Sequence, residues 1–223
     1  MDKMKVFDVK FKNPASILVS GCTGSGKSTL VFNMLRHPNH FFSNIECMKT
    51  VILYYKEYQD IYNEFQHLIT DFINESPTYE SIRDKVEFCK QQGSIVIIDD
   101  FADDLDPSVR SLFGVGAHHF NSHIFLLTQY LYPRKPAWFS DVTANAIYVI
   151  YFKNPKNMKQ INRLIYQCID GDAKWAINAV RDALQEPHSY ILFDFHQTTP
   201  EALKLRTNIL PHEFPMICFT KRK

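Results

Sequence analysis

The chain has 223 residues, of which 45% are hydrophobic, and a formal net charge of +1 from 25 Lys and Arg against 24 Asp and Glu. This length and hydrophobic content predict a single domain, residues 1–223, with one core. The balanced charge excludes a protein that binds nucleic acid through a global positive field, so any DNA contact must come from a local patch.

The five cysteines are scattered along the chain and form no CxxC pair. This usage argues against a zinc site or a disulfide frame and predicts a reducing, intracellular compartment. The sequence has no run of about 18 consecutive apolar residues, which a membrane span would require. Its first residues lack the apolar segment of a secretory leader. We therefore expect a soluble protein without a membrane partner.

The first chemical motif is a full match to the phosphate-loop pattern GxxxxGK[ST], and it follows the apolar run 17–19. Glycines let the loop curl so that backbone N–H groups point at a β-phosphate, Lys27 adds a cation, and the Ser28 hydroxyl can ligate Mg²⁺. Apolar residues at helical spacing follow, so the loop opens a helix whose dipole also favours phosphate. The residues assigned to nucleotide are Gly21, Cys22, Thr23, Gly24, Ser25, Gly26, Lys27, Ser28 and Thr29.

Short apolar runs alternate with helical periodicity, which predicts an α/β fold of the P-loop NTPase type, with a mostly parallel sheet flanked by helices. Strands are predicted at residues 17–19, 51–54, 95–98, 124–127, 146–151 and 190–193. Helices are predicted at residues 61–73, 81–91, 107–118, 156–168 and 172–185, with Asp106-Pro107 and Asp172 as start signals.

The second motif is the apolar run 94–98, which is followed by the two carboxylates Asp99 and Asp100. This pattern is typical of a Walker B strand, in which one acid holds Mg²⁺ and a neighbouring acid polarises the attacking water. We assign Asp99 to the metal and Asp100 to the water. The alternative for Asp100 is a cap of a helix or turn.

Two other polar clusters do not match metal sites. The acidic run 103–106 departs from a calcium-binding EF-hand, because the sixth position counted from Asp99 is not Gly; we expect a solvated turn. His118, His119 and His123 lack carboxylate or cysteine partners at ligand spacing, so we expect no metal there.

The third motif is the apolar run 124–127, which ends in Thr128 and Gln129. Gln129 would lie at the carboxyl end of the sheet, beside the phosphate site, where open α/β sheets bind ligands. Its amide could sense the γ-phosphate or the attacking water; the alternative is an ordinary turn residue at the strand end.

The three motifs, in this order and spacing, resemble the FtsK/HerA superfamily of DNA-pumping ATPases, whose sheet is RecA/FtsK-like. Four segments are further similar to the genome-packaging ATPases of Polinton/Maverick elements, adintoviruses and related double-stranded DNA viruses, distant relatives of the poxvirus packaging ATPase: residues 118–121, 127–133, 151–155 and 205–209. The resemblance covers nearly the whole chain. The chain departs from the family pattern at Phe120, where the family has a basic residue, and at Tyr130, where it has Asn.

The resemblance implies an ATPase that uses ATP and Mg²⁺ to move viral double-stranded DNA into a capsid. It implies three partners: DNA, other copies of the chain in a hexameric or pentameric ring, and capsid vertex proteins. It places the protein in the host nucleus or at the site of virion assembly. Such rings complete each site with an arginine from the neighbouring subunit; the candidates are Arg206, ranked first, and Arg110, Arg134 and Arg163. The catalytic residues expected on this basis are Lys27, Asp100, Gln129 and Arg206.

The irregular stretch 133–141 contains Arg134, Lys135 and Trp138, which could line a DNA pore or could pack against their own domain.

Two other functions remain open. One is a P-loop kinase of a nucleoside or metabolite, which would be a monomer indifferent to DNA; the absence of an arginine-rich lid speaks against it. The other is a non-catalytic assembly module in which nucleotide stabilises an interface.

Overall fold

The computed structural model describes residues 10–101, 104–169, 173–213 and 216–217. The strands are β1 Ala15–Ser20, β2 Val51–Tyr55, β3 Asp71–Ile73, β4 Ser94–Asp99, β5 Ser122–Thr128, β6 Tyr148–Phe152, β7 Tyr190–Asp194, β8 Leu205–Thr207 and β9 Met216–Ile217. The α-helices are α1 Lys27–Arg36, α2 Pro38–Phe41, α3 Ile61–Phe65, α4 Tyr79–Val86, α5 Ala117–Phe120, α6 Phe139–Asn145, α7 Met158–Cys168 and α8 Ala173–Ala183. No helix in these ranges is long and apolar enough to cross a bilayer.

The strands form one nine-stranded sheet in the order β3-β2-β4-β5-β1-β6-β7-β8-β9. The six strands from β3 to β6 in this order run parallel, and β7, β8 and β9 are added antiparallel. The predicted α/β fold with a mostly parallel sheet is confirmed. Because β5 lies between β1 and β4, the carboxyl ends of the three motif-bearing strands meet at one edge of the sheet.

Both faces of the sheet are buried. Along β4, Val96 and Ile98 belong to one apolar cluster, and Ile95 and Ile97 belong to the other. The first cluster is completed by α4 to α8, and the second by α1 to α3. Burial on two faces explains why the six predicted strands are continuous apolar runs.

The predicted helix 61–73 is wrong beyond its first turns. Helix α3 ends at Phe65, a 3-10 turn covers Gln66–Leu68, and β3 pairs in parallel with β2. Phe72 lies opposite Leu53 in that pairing. The apolar residues of this segment fit helical spacing. The edge of β2, however, has backbone N–H and C=O groups that another strand can pair with, and β3 forms these hydrogen bonds.

The segment 107–118 also differs from the single predicted helix. It forms a 3-10 turn at Pro107–Val109, a π-helix at Leu112–Gly116 and then α5. Two glycines in the middle weaken a regular helix here. Asp106 does start the first turn, since its carboxylate accepts from the Ser108 amide at 2.8 Å, a bond that lowers its pKa.

Five smaller elements were absent from the sequence-based prediction: α2, α6, β3, β8 and β9. Helix α6 begins inside the stretch 133–141 that we expected to be irregular. The helix start at Asp172 and the first residue of the acidic run, Asp103, lie outside the described residues. Within the described part of that run, Asp104 forms an exposed ion pair with Lys56 at 2.5 Å, as expected for a solvated turn.

Candidate nucleotide-binding site

A cleft of about 860 Å³ lies at the carboxyl edge of β1 and β4, the position at which parallel α/β sheets bind ligands. Residues 23–30, from the loop and the start of α1, line the cleft together with Asp99, the last residue of β4, and Asp100, which follows it. The lining also includes residues of the segment 57–61 and four residues of the C-terminal part of the chain: His188, Tyr190, Leu210 and Glu213. The cleft is large enough for a nucleotide.

The loop between β1 and α1 depends on its glycines for shape. Gly26, which precedes the first turn of α1, has a left-handed φ of 99°. A Cβ atom on Gly21 would lie 2.6 Å from Ser25 Oγ and 2.7 Å from Phe152 Cβ. The loop can therefore curl against β6 only with glycine at position 21.

Lys27 is the cation of the loop, and its ammonium donates to the carbonyl oxygens of Gly21 at 2.8 Å and Cys22 at 3.2 Å. Burial lowers the pKa of Lys27, whereas the nearby carboxylates of Asp99 and Asp100 raise it. The amine is thus held inside the loop, next to the space that a phosphate would fill.

Ser28 and Asp99 meet as the two motifs predict. Ser28 Oγ donates to Asp99 Oδ2 at 2.8 Å, and the Asp99 side chain is buried. Burial raises the pKa of Asp99, while hydrogen bonds from Ser28 and Tyr62 and the charge of Lys27 oppose that shift. A hydroxyl and a carboxylate side by side are hard oxygen donors, which fit Mg²⁺.

Asp100 follows with an exposed side chain that lines the cleft and a left-handed φ of 65°. This turn sends the backbone out of the strand, so both carboxylates reach the same cleft. Gln129 is partly exposed and directly follows Thr128, whose carbonyl accepts from the Gly21 amide at 3.0 Å. It lies at the base of the loop but outside the lining of the cleft, and its sensor role stays a prediction.

Arg206 occupies a position that does not suit the expected role in a neighbouring site. Its guanidinium is buried and donates to Asp194 Oδ2 at 2.5 Å, on the antiparallel side of the sheet. To reach another subunit it would have to leave a buried ion pair, which is costly. The predicted catalytic role of Arg206 is therefore corrected: Arg206 is the partner of Asp194 in an internal ion pair.

The other candidate arginines are exposed. Arg110 is 3.9 Å from Asp141, Arg163 lies 4.1 Å above the ring of Tyr132, and Arg134 is at the surface with Lys135. Trp138, in contrast, packs against the apolar core.

The three histidines do not form a metal cluster. His118 and His119 are exposed on α5, whereas His123 is buried in β5. No group of three potential metal ligands occurs among the residues that the structure describes.

Among the site residues that the sequence analysis missed, three lie next to motif residues. Phe152 supports the loop, as a Cβ on Gly26 would lie 3.5 Å from its ring. His188 Nδ1 is 3.2 Å from the Ser25 carbonyl oxygen, which can only accept. Tyr62 donates to Asp99 Oδ2 at 3.0 Å. Phe152 lies in a segment carried by the family resemblance; Tyr62 and His188 lie far from any motif and have no local signal.

The sequence matches no family model and no curated protein. The structure is similar to that of the genome packaging NTPase B204 from Sulfolobus turreted icosahedral virus 2, determined in complex with ATP-gammaS, with a TM-score of 0.52 and 16% identity over 83% of this chain and 95% of that chain. It is also similar to the cytoplasmic domain of the type VII secretion ATPase EccC from Thermomonospora curvata, with a TM-score of 0.50 and 16% identity over 87% of this chain and 26% of that chain. The chain therefore has the fold of the P-loop NTPases.

Proposed function

We propose that this protein hydrolyses ATP with Mg²⁺ and couples hydrolysis to the movement of double-stranded DNA during viral genome packaging. The observation that carries the ATPase part is the pairing of Ser28 Oγ with Asp99 Oδ2 at 2.8 Å beneath a complete phosphate loop. The packaging part is supported by the sequence resemblance and by the shared fold with the packaging NTPase B204.

Each residue of the site has a separate task in this proposal. Backbone N–H groups of the loop bind the β-phosphate, and Lys27 leaves the carbonyl oxygens of the loop for the phosphate oxygens. Ser28 and Asp99 would hold Mg²⁺, which would offset the negative charge of the phosphates during transfer. Asp100, exposed at the cleft, orients the attacking water and accepts its proton. Gln129 reports the state of the γ-phosphate to the segment that follows β5.

The proposal includes a ring of identical subunits, in which an exposed arginine of one subunit completes the site of the next. The exposed candidates are Arg110, Arg134 and Arg163. A ring also repeats each basic residue around its pore, so a chain with a net charge of +1 can still present a positive ring to DNA phosphates. Docking to a capsid vertex, relatedness to the Polinton and adintovirus enzymes, and location in the nucleus or a virion assembly site belong to the same proposal.

Steady-state ATP hydrolysis, measured with and without long double-stranded DNA and with the oligomeric mass recorded, tests this function. Lys27→Ala is the control for contaminating ATPase. We expect DNA to stimulate turnover and an assembled ring to be present. A monomer that turns over ATP and ignores DNA would instead indicate a small-molecule kinase, and nucleotide binding without turnover would indicate an assembly module.

A further inference from the structure

Tyr62 is a buried residue of α3 that contacts the proposed metal ligand directly. Its hydroxyl donates to Asp99 Oδ2 at 3.0 Å, and the same oxygen accepts from Ser28 Oγ at 2.8 Å. We propose that Tyr62 is a positioning residue that fixes the Asp99 carboxylate for the divalent cation. This inference rests on the proposed function, because it requires Asp99 to bind the metal.

The tyrosine ring is held by other aromatic rings. Its centroid lies 5.7 Å from that of Phe32 on α1 and 5.7 Å from that of Tyr55 at the end of β2. Tyr58 is at 5.4 Å, and all three contacts are edge-to-face. Phe32 belongs to the helix that begins at the phosphate loop, so this cluster joins the loop helix, α3 and the Walker B carboxylate. The hydroxyl therefore has a fixed position relative to Asp99.

The two hydroxyl donors on Asp99 differ in what they can do when a cation binds. Ser28 borders the cleft and is the proposed second ligand, so it can exchange Asp99 for the metal. The Tyr62 side chain has no exposed surface, and a buried hydroxyl that left Asp99 would lose its hydrogen bond without gaining one from water. Tyr62 therefore keeps its bond, and the carboxylate keeps one orientation. Partners of this kind orient metal ligands in many sites.

The test compares Tyr62→Phe with Tyr58→Phe. Both variants lose only a hydroxyl from the same aromatic cluster, but the Tyr58 hydroxyl bonds Asn63 at 2.8 Å rather than Asp99. Mn²⁺ binding is titrated by electron paramagnetic resonance in the presence of ATPγS. We expect Tyr62→Phe to raise the Mn²⁺ dissociation constant by about tenfold or more, and the half-saturating Mg²⁺ concentration for turnover in parallel, while Tyr58→Phe resembles the wild type. The KM for ATP at saturating Mg²⁺ should be unaffected by either.

The outcomes separate this inference from the proposed function. Mn²⁺ binding by Tyr62→Phe at wild-type affinity would overturn the role of Tyr62 and leave the metal site intact. A wild-type protein that binds no Mn²⁺ with ATPγS would overturn the metal site and the inference together. Should Tyr62→Phe fold poorly, a crystal structure of the wild type with ATPγS and Mn²⁺ decides: a Tyr62 hydroxyl outside hydrogen-bond distance of Asp99 would contradict the proposal.

Discussion

Asp100 combines an exposed carboxylate with a left-handed backbone, two properties that Asn can reproduce apart from the charge. We expect Asp100→Asn to bind ATPγS with unchanged affinity and to lose between about 10²- and 10⁴-fold in turnover, because the variant cannot accept the proton of the attacking water. Phosphate release and nucleotide titration measure the two quantities. Asp104→Asn, which neutralises an exposed acid paired with Lys56, is the control. Normal turnover of Asp100→Asn would remove Asp100 from the mechanism.

His123 makes stability depend on pH. Its ring is buried and both ring nitrogens lack a hydrogen-bond partner among the described residues, and burial lowers its pKa from 6.5 to about 3. The folded state thus keeps the ring neutral, whereas the unfolded chain takes up a proton below pH 6.5. The free energy of unfolding should therefore fall as the pH drops from 6.5 towards 3, by up to about 1.4 kcal/mol per pH unit from this group.

Urea unfolding at several pH values in this window checks the effect of His123. His123→Leu removes the titrating group and keeps an apolar side chain in β5, so its unfolding free energy should depend less steeply on pH. The exposed His119 provides the matched control, because His119→Gln should keep the wild-type slope. Equal slopes for His123→Leu and the wild type would show that His123 does not carry the acid sensitivity.

Arg206 should affect stability rather than the site of a neighbour. Burial raises the pKa of Asp194, and the charge of Arg206 opposes this shift, so Arg206→Ala leaves a buried acid without its cation. We expect a loss of about 3–5 kcal/mol in the free energy of unfolding. Adding Asp194→Asn should recover part of it, since Asn keeps an oxygen for the His196 amide and the Thr199 hydroxyl. Denaturant melts of both variants give the values; a stable but inactive Arg206→Ala would restore its catalytic assignment.

The site residues that can be predicted from the sequence are those that belong to short local motifs. Lys27, Ser28 and Asp99 lie in two short motifs, and the structure brings them together. Tyr62 and Arg206 could not be assigned in this way. The partner of Tyr62 is 37 residues away and that of Arg206 is 12 residues away, and no sequence spacing connects either residue with its partner. A sequence motif cannot tell a buried ion-pair arginine from an exposed catalytic one.

Among the elements of the site, the phosphate loop has no room for an added methyl group at Gly21. Gly21→Ala would place a Cβ within 2.7 Å of Phe152 Cβ and even closer to Ser25 Oγ, so the loop must move away from β6. We expect ATPγS affinity to fall by about tenfold or more, because the loop amides no longer converge on the phosphate. Gly114→Ala is the control, since nothing lies within 4 Å of its added Cβ. Equal ATPγS affinity in both variants, measured by titration, would contradict this account of the loop.

The strands predicted correctly are those that are buried on both faces. The six strands in the centre of the sheet are continuous apolar runs in the sequence. This pattern is typical of strands that are buried on both faces. Strand β3 is partly exposed at the edge of the sheet and has only three residues, so its alternation is too short to distinguish it from a helical face. The π-helix at Leu112–Gly116 packs against α6 within the first apolar cluster and has no sequence period of its own.

The proposed function requires surfaces that contact DNA and neighbouring subunits. The cleft opens at one edge of the sheet, and the exposed arginines lie on segments outside its lining. An arginine that acts in a neighbouring site must be exposed before assembly, a condition that Arg110, Arg134 and Arg163 meet and Arg206 does not. An Ala variant of the arginine that acts in trans should be inactive alone and regain ATPase activity when mixed with Lys27→Ala subunits, which supply the intact arginine. An Ala variant of a residue that acts in its own subunit should not be rescued by this mixing.

The loop before α6 is the surface that we expect to contact DNA. Arg134 and Lys135 are exposed there, whereas Trp138 is partly buried and packs against the core. The double variant Arg134→Ala/Lys135→Ala should keep basal ATPase activity and lose DNA stimulation, and the slope of log K for DNA against log salt should fall by about 0.9 for each phosphate contact removed. The control is Lys49→Ala/Lys90→Ala, which removes the same charge from lysines that pair with Glu46 and Glu87. If both double variants lose stimulation equally, the loss of positive charge alone explains the effect; if neither loses it, Arg134 and Lys135 do not form the proposed DNA contact.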